Sequence, residues 1–397
     1  MDFWSDPLKV AADWLEGIFT GWGMDAVLAH VLVAFLGVLL LIMLLMVLDI
    51  FLVWVERKVV ARFQDRLGPN RVGPFGLIQP FADIIKLMIK EDTTPAGADK
   101  VVYNLAPILS MASVLILWAV VPLAPTMFGV DLNVGVLFII AAGAIGALSI
   151  IMAGWSSDNK FAMIGGFRQV AVMVSFEIPM ITMLIVPTIL AGSMHMNEII
   201  LRQDIWYVFL APLAAVIFMI AAIAELGRAP FDLAEGESEL VSGYNIEYSG
   251  MKFGMFFAGE LLHAFTFGGF WAILFFGGYR FFGLEQVSPI LAIMILVIKA
   301  MIGYWIIMWV RYTVMGIRSD QMLAFNWKFL TPLAFAVLLV TALMNALLAG
   351  APTWLYILGM FLAHVVTGWI ALEIARSVAR KDREQVEGVQ KTVESSH

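Results

Sequence analysis

Long apolar runs separated by short polar stretches dominate the chain. Crossing a bilayer takes about 20 apolar residues. Runs of that kind lie at roughly 28–54, 104–124, 134–155, 170–191, 206–226, 254–277, 290–311, 328–349 and 354–375. The pattern predicts an all-α integral membrane protein with about nine transmembrane helices. Only Gly350–Thr353 separates the last two, which predicts a tight helical hairpin. Residues 3–22 follow a different pattern. Phe3, Trp4, Leu8, Trp14, Leu15, Ile18, Phe19 and Trp22 interleave with Asp6, Lys9, Asp13 and Glu16, as in an amphipathic helix lying at a membrane interface. A second amphipathic segment follows the first long run. Gln79, Asp83, Lys86 and Lys90 make one polar stripe among Phe81, Ile84, Ile85, Leu87, Met88 and Ile89. It is too short to span, so the pattern predicts a helix in the interface with its apolar side toward lipid or neighbouring helices.

Composition agrees with the pattern. Of 397 residues 61% are hydrophobic and 14% charged, with mean hydropathy +0.91. A soluble domain carries about 25% charged residues. The net charge of −7 excludes nucleic acid as a partner. The absence of cysteine removes disulfides, thiolate chemistry and iron–sulfur ligation. About 27 residues with several acids precede the first long run, the wrong flank for a cleavable signal peptide. Lysine and arginine set the orientation. With alternating spans, 20 of them fall in the loops and tail on one side, and only Lys9, Arg202 and Arg280 fall on the other. The crowded side is the inner one, which puts the N-terminus outside and the C-terminus in the cytoplasm.

Most candidate chemistry lies on that inner side. Glu225, Asp232, Glu235, Glu237, Glu239 and Glu247 crowd into one loop region, with Arg228 the one basic residue among them. Like charges at this density raise one another's pKa values, so the stretch is a candidate proton-handling site. Phe231, Leu240 and Tyr244, embedded in the same stretch, argue against a merely solvated loop. Glu225 and Arg228 are three apart, a pairing distance on a helix. Glu235 and Glu239 are four apart and share a helix face if that segment is helical. Within the apolar runs stand Asp49, Glu177, the Glu260–His263 pair and Lys299, and Glu56, which closes the first run, shares a helix face with Asp49. A charge at the bilayer centre costs about 2.5–3.5 kcal/mol on insertion scales, so Glu177 and Lys299 are functional candidates, whereas a lone histidine on a helix face such as His263 is more often structural. Gly68-Pro69-Asn70 and Gly73-Pro74 predict an ordered bend between the first span and the amphipathic helix. The histidines offer no pairs suited to stacked haems and no metal site.

Three long strings carry a family resemblance. ERKVVARFQDRLGPNRVGPFGLIQPFADIIKL at 56–87, SSDNKFAMIGGFRQVAVMVSFEIP at 156–179 and GRAPFDLAEGESELVSGYNIEYSGMKF at 227–253 resemble the family of the H membrane subunit of respiratory complex I. That complex is the proton-pumping NADH–quinone oxidoreductase, and the family includes mitochondrial NADH dehydrogenase subunit one. A weaker match is WVRYTVMGIRSDQMLAFNWK at 309–328. There the family has Arg-Tyr-Asp-Gln and Leu-Gly-Trp-Lys, where this chain has Arg318-Ser319-Asp320-Gln321 and Phe325-Asn326-Trp327-Lys328. The resemblance covers residues 28–349. It leaves 1–27 as an N-terminal interfacial segment and 350–397 as an extra C-terminal helix with a cytoplasmic tail.

The resemblance implies an eight-helix core forming the membrane base of a quinone chamber. Its matched positions imply quinone contacts at Arg57, Arg66, Asp83, Phe231 and Glu235. They imply proton-pathway or coupling roles for Glu177, Glu225, Arg228, Asp232, Glu237, Glu239, Glu247 and Tyr248, to which Lys299 is added as a charge within a span. This chain is then expected to bind no cofactor and to be inactive alone. Quinone is its substrate, and flavin and iron–sulfur clusters sit on partner subunits. The implied partners are the hydrophilic quinone-site subunits on the inner face, small and antiporter-like membrane subunits, and lipid. The implied location is the cell inner membrane. A homologous subunit of a hydrogenase-type complex with another electron donor is the alternative. A secondary ion transporter fits less well, because no inverted repeat is visible. The orientation is testable with C-terminal fusions. A fluorescent protein there is expected to fluoresce and an alkaline phosphatase to be inactive, and the reverse pair of outcomes would overturn the assignment.

Overall fold

A computed structural model describes residues 7–127, 129–232 and 240–394. The described residues form helices joined by turns. Helix α1 (Pro7–Gly21) packs on α2 (Ala26–Phe63), a rod of 38 residues and about 57 Å at 1.5 Å per residue. The amphipathic α3 is Gln79–Ile89. The long spans α4 (Lys100–Leu117), α5 (Gly135–Ser156) and α6 (Lys160–Ala191) follow. Two short helices, α7 (Met196–Leu201) and α8 (Tyr207–Leu210), lead to α9 (Pro212–Glu225). Then come α10 (Gly250–Phe275), α11 (Pro289–Thr313), α12 (Ser319–Phe325), α13 (Thr331–Leu347) and α14 (Thr353–Glu394). Among the described residues eight helices are long and apolar enough to cross a membrane.

The expected fifth span is shorter than its hydropathy suggested. Trp206–Ala211 is apolar, but it forms a separate turn closed by Ala211 N–H donating to the Tyr207 carbonyl at 2.7 Å. Pro212 then starts a new helix of 14 residues, about 21 Å against a hydrocarbon core of ~30 Å. The element is buried by neighbouring helices rather than by lipid: it packs on α6, α10, α13 and α14.

Local rules account for the helix ends. Asp99 caps α4 by accepting from Val101 N–H at 3.1 Å, and Asn159 caps α6 by accepting from Phe161 N–H at 2.9 Å. Helix α6 contains Pro179, which has no N–H for the Ser175 carbonyl one turn back. Asn326, at the start of a π-turn (Asn326–Leu330) joining α12 to α13, supplies the missing donor. Its Nδ2 reaches that carbonyl at 2.6 Å. Asn326 is one of the positions where the chain departs from the pattern of the family it resembles, and it is fully buried.

Helices α6 and α10 are the most buried spans, and α2 and α14 lie at the periphery. The longer connections meet on one face. Asp99 N–H donates to the Ser156 carbonyl at 3.2 Å, Asn159 to Glu247 at 2.7 Å, and Ile317 N–H to the Pro230 carbonyl at 3.0 Å. Tyr103 and Tyr248 stack with centroids 4.2 Å apart, and each hydroxyl donates to a carbonyl beside the other ring, at 2.7 and 3.2 Å. Burial pushes the Tyr248 phenol up to about 12, so it stays a neutral donor. The second half of the acidic stretch is therefore fastened to the start of α4.

Helices α10 and α11 cross at Gly268 and Gly303. A Cβ on Gly268 would stand 2.6 Å from the Ala300 carbonyl oxygen and 2.8 Å from Tyr304 N. Neither backbone atom can retreat without moving its helix. Gly268→Val is expected to cost about 3 kcal/mol, the upper end for overpacking, and to lower the melting temperature in detergent. Gly269→Ala, whose methyl would sit 3.9 Å from Ala300 Cβ, is expected to melt like the parent. Equal melting of the two variants would refute the crossing as described.

Candidate functional site

The end of α2 and the loop that follows it build a cleft. Gly76 has φ of 78°, and any side chain there would put Cβ 2.2 Å from the Pro69 carbonyl oxygen, so the loop folds tightly only with glycine. Trp54 Nε1 donates to the Phe75 carbonyl at 3.1 Å and ties the loop back to the helix. Arg57 donates to Asp83 of α3. The cleft so framed has a volume of about 880 Å³. Its wall includes Glu56, Arg57, Arg66, Arg71, Gln79, Phe257, Arg311 and Tyr312. It is cationic at its polar edge and apolar along Val53, Val60 and Phe257. Phe81, Ile85 and Met88 of α3 point outward, as the amphipathic pattern predicted.

Behind the cleft lies a buried charge cluster. Arg228, 1% exposed, donates from Nε to Glu260 Oε1 at 2.8 Å and places Nη2 3.8 Å from Glu56 Oε2. Arg311 donates to Glu56 Oε1 at 2.7 Å and stands 3.7 Å from Glu260. Tyr312 and Tyr304 donate to the two oxygens of Glu56 at 2.6 and 3.2 Å. Two guanidinium groups thus balance two carboxylates. Burial opposes the Arg228 charge, but Glu56 and Glu260 outweigh it and hold the group above its ordinary pKa. Tyr304 and Arg311 are seven apart on α11, so one helix face delivers both.

Beyond the cluster, an internal cavity of about 50 Å³ is lined by Glu260, His263, Glu225, Gln169, Ser113 and Tyr244 among others. Glu225 is the last residue of α9 and is buried. Among the described residues its Oε2 has no hydrogen-bond partner. Glu177 of α6 is close enough to act on it electrostatically. Asp49, one face-repeat before Glu56 on α2, is also buried, with Oδ1 unpartnered among the described residues. Cleft, charge cluster, cavity and the Glu225–Glu177 pair therefore follow one another. Glu56 and Arg311 face the first, and Glu260 faces the third.

Comparison with known proteins identifies the family. The NADH dehydrogenase family model matches residues 36–342. The chain belongs to the NADH dehydrogenase family. It is 44% identical over 290 residues to the H subunit of NADH-quinone oxidoreductase from Dehalococcoides mccartyi strain CBDB1, covering 73% of this chain and 80% of that one. To the NADH-quinone oxidoreductase H subunit 1 of Geobacter metallireducens it is 42% identical over 312 residues, 76% of this chain and 93% of the relative. The H subunit of the Bacillus mycoides enzyme is 41% identical over 297 residues, 74% and 88% of the two chains. Helix α14 lies beyond the end of the family match.

Within this family frame the expected residues separate into groups. Arg57 and Arg66 line the cleft; Asp83 does not line it but holds Arg57 from α3. Phe231 does not line it: it is buried and packs on Phe176, with centroids 5.1 Å apart. Arg228 does not pair with Glu225. The helix ends at Glu225, and Gly227, at φ of 63°, turns the chain so that Arg228 faces Glu56 and Glu260. Glu247 is held by Asn159, and Asp232 is exposed. Lys299 is not with the carboxylates. Its Nζ donates to the carbonyls of Phe276, Gly278 and Arg280 at 2.7, 2.9 and 2.7 Å, past the far end of α10 from Glu260. Glu235, Glu237 and Glu239 lie outside the described residues. Sequence reasoning gave no site role to Glu56, Glu260, Arg311, Tyr304 or Tyr312. The signal was available for Glu260, a carboxylate inside an apolar run, and for Glu56, a carboxylate at the end of one.

The charge cluster makes a stability prediction. Arg228→Met leaves Glu56 and Glu260 with Arg311 alone. Breaking a buried pair from one side costs about 3–5 kcal/mol, so this variant is expected to accumulate poorly in membranes. The triple variant Arg228→Met, Glu56→Gln, Glu260→Gln is expected to recover much of the loss. Equal accumulation of the single variant and the parent on immunoblots would contradict the assignment.

Proposed function

We propose that this chain is the membrane subunit of a proton-translocating NADH–quinone oxidoreductase. In this reading it lines part of the quinone chamber and couples quinone reduction to proton movement. One observation carries the reading: the cationic, half-apolar cleft is joined to buried carboxylates by the Glu56–Arg228–Glu260 cluster. The names of the relatives supply the quinone and the enzyme. The cleft has the mixed character that a quinone requires. Arg57 and Arg66 offer donors to carbonyl oxygens, and Val53, Val60 and Phe257 offer an apolar wall to the tail.

Quinone reduction takes up two electrons and two protons, and the electrons come from carriers on partner subunits. Whenever electron arrival precedes proton arrival, negative charge appears in the cleft. A unit charge at ~10 Å acts on another with about 1.7 kcal/mol at an effective dielectric constant of ~20. That is slightly more than one pKa unit, about a tenfold change in protonation. Arg311 and Glu56 receive this field at the cleft wall, Arg228 carries it to Glu260, and Glu225 and Glu177 lie beyond. Among the described residues no ion pair holds Glu225 or Glu177, so their protonation is the part free to respond. Basic side and cytoplasmic side coincide, and the partner subunits that carry the electrons dock there.

The test uses the assembled complex. Glu177→Gln and Glu225→Gln are expected to leave assembly intact on native gels and to lower NADH–quinone reductase activity at least about tenfold, or ~1.4 kcal/mol of barrier. Arg57→Ala is expected to raise the KM for a short-chain quinone more than it lowers kcat. Full activity with normal pumping in both glutamine variants would sink the coupling role.

A further inference from the structure

The internal cavity between the charge cluster and Glu225 contains a group that the proposed coupling does not use. His263 lines it, three residues after Glu260 on α10. Its ring stacks on Phe267, one turn further on, with centroids 4.5 Å apart and planes 20° from parallel. That contact fixes the direction of Nε2, which is buried and has no hydrogen-bond partner among the described residues. Two more buried atoms share this condition in the same cavity, Gln169 Oε1 and Glu225 Oε2. Unpaired buried polar atoms cost about 1–3 kcal/mol each, and internal water relieves that cost where a site is polar and roomy enough. A water needs ~10–15 Å³ of such volume, so about 50 Å³ holds roughly three to five of them. The room depends on a missing side chain. A Cβ on Gly146 would stand 3.3 Å from Ser113 Oγ, inside the cavity wall.

Glu260 cannot swing across this space, because Arg228 Nε holds its carboxylate at 2.8 Å. Any proton passing between the cluster and Glu225 therefore crosses on water. We propose that His263 is a positioning residue that anchors this water chain through Nε2, so that protons pass between Glu260 and Glu225 with no side chain moving. Each water accepts a proton from one side and releases another to the next, and the imidazole returns unchanged. This proposal rests on the coupling role proposed above and names the link within it.

The experiment uses the assembled complex in membrane vesicles, with NADH-driven quinone reduction and proton pumping measured in H2O and D2O. His263→Leu is expected to slow turnover about tenfold and to raise the solvent isotope effect, as for a proton step that has become limiting. His263→Gln, which keeps a polar group to hold water, is expected to keep at least about a third of the rate. Gly146→Ala, which takes the place of about one water, is expected to slow turnover by roughly two- to threefold with the same rise in isotope effect. An unchanged rate and isotope effect in His263→Leu would overturn the proposal. So would equal damage from leucine and glutamine, which would mark His263 as a packing residue. Should His263→Leu fail to assemble on native gels, an unchanged isotope effect in Gly146→Ala would overturn it instead. Glu225→Gln, measured alongside, separates the two levels. If it is slow while His263→Leu is normal, only the water relay falls. If both are normal, the coupling role falls with it.

Discussion

A guanidinium buried among transmembrane helices is tolerable only with acceptors against it, and Arg228 imposes that constraint here with two carboxylates. The group sits in the turn after α9, yet its partners come from α2 and α10, and α11 adds Arg311 and Tyr304. Four parts of the chain distant in sequence must meet at one point before any of these charges is satisfied. The isolated cost of such a group is several kcal/mol, while each surrounding apolar contact is worth a fraction of that. The cluster therefore selects one arrangement among the many that apolar helices alone would accept.

The fold was largely legible in the pattern of apolar runs, because lipid leaves a helix few alternatives. The fifth run shows where the reading ends. Hydropathy does not distinguish a continuous helix from an apolar turn followed by a proline-started helix, and Trp206–Ala211 with Pro212 is the latter. The site was legible in its ingredients and less so in its pairings. Glu225 and Arg228 have a helical pairing distance, but that rule holds only while the helix continues, and Gly227 bends the chain between them. Lys299 reads as a membrane charge seeking an acid. It is satisfied instead by three backbone carbonyls past the end of α10, a partner type that composition cannot reveal. Phe231 belongs to a conspicuous motif and nevertheless serves the core.

The buried and half-buried acids divide by what faces them. Glu56 and Glu260 are both held by Arg228 and Arg311, and Glu56 also accepts from two tyrosine hydroxyls, which fixes the position of the two carboxylates. Asp49 and Glu225 have oxygens without such partners among the described residues, and Glu177 is close enough to act on Glu225 electrostatically. A sequence shows all five as carboxylates in apolar surroundings. Only the arrangement separates the ion-paired ones from those that no ion pair holds among the described residues.

The bond from Asn326 to the Ser175 carbonyl also has a mechanical meaning. Pro179 removes a rung from the ladder of α6, and the replacement is anchored in a different helix. The two helices then share a degree of freedom at that level. Straightening or tightening α6 there requires α13 to follow, and any rotation of the π-turn pulls on the backbone two residues before Glu177. The gap that Pro179 leaves in α6 is thus a coupled joint rather than a local defect, with an acid two residues from the bridged carbonyl.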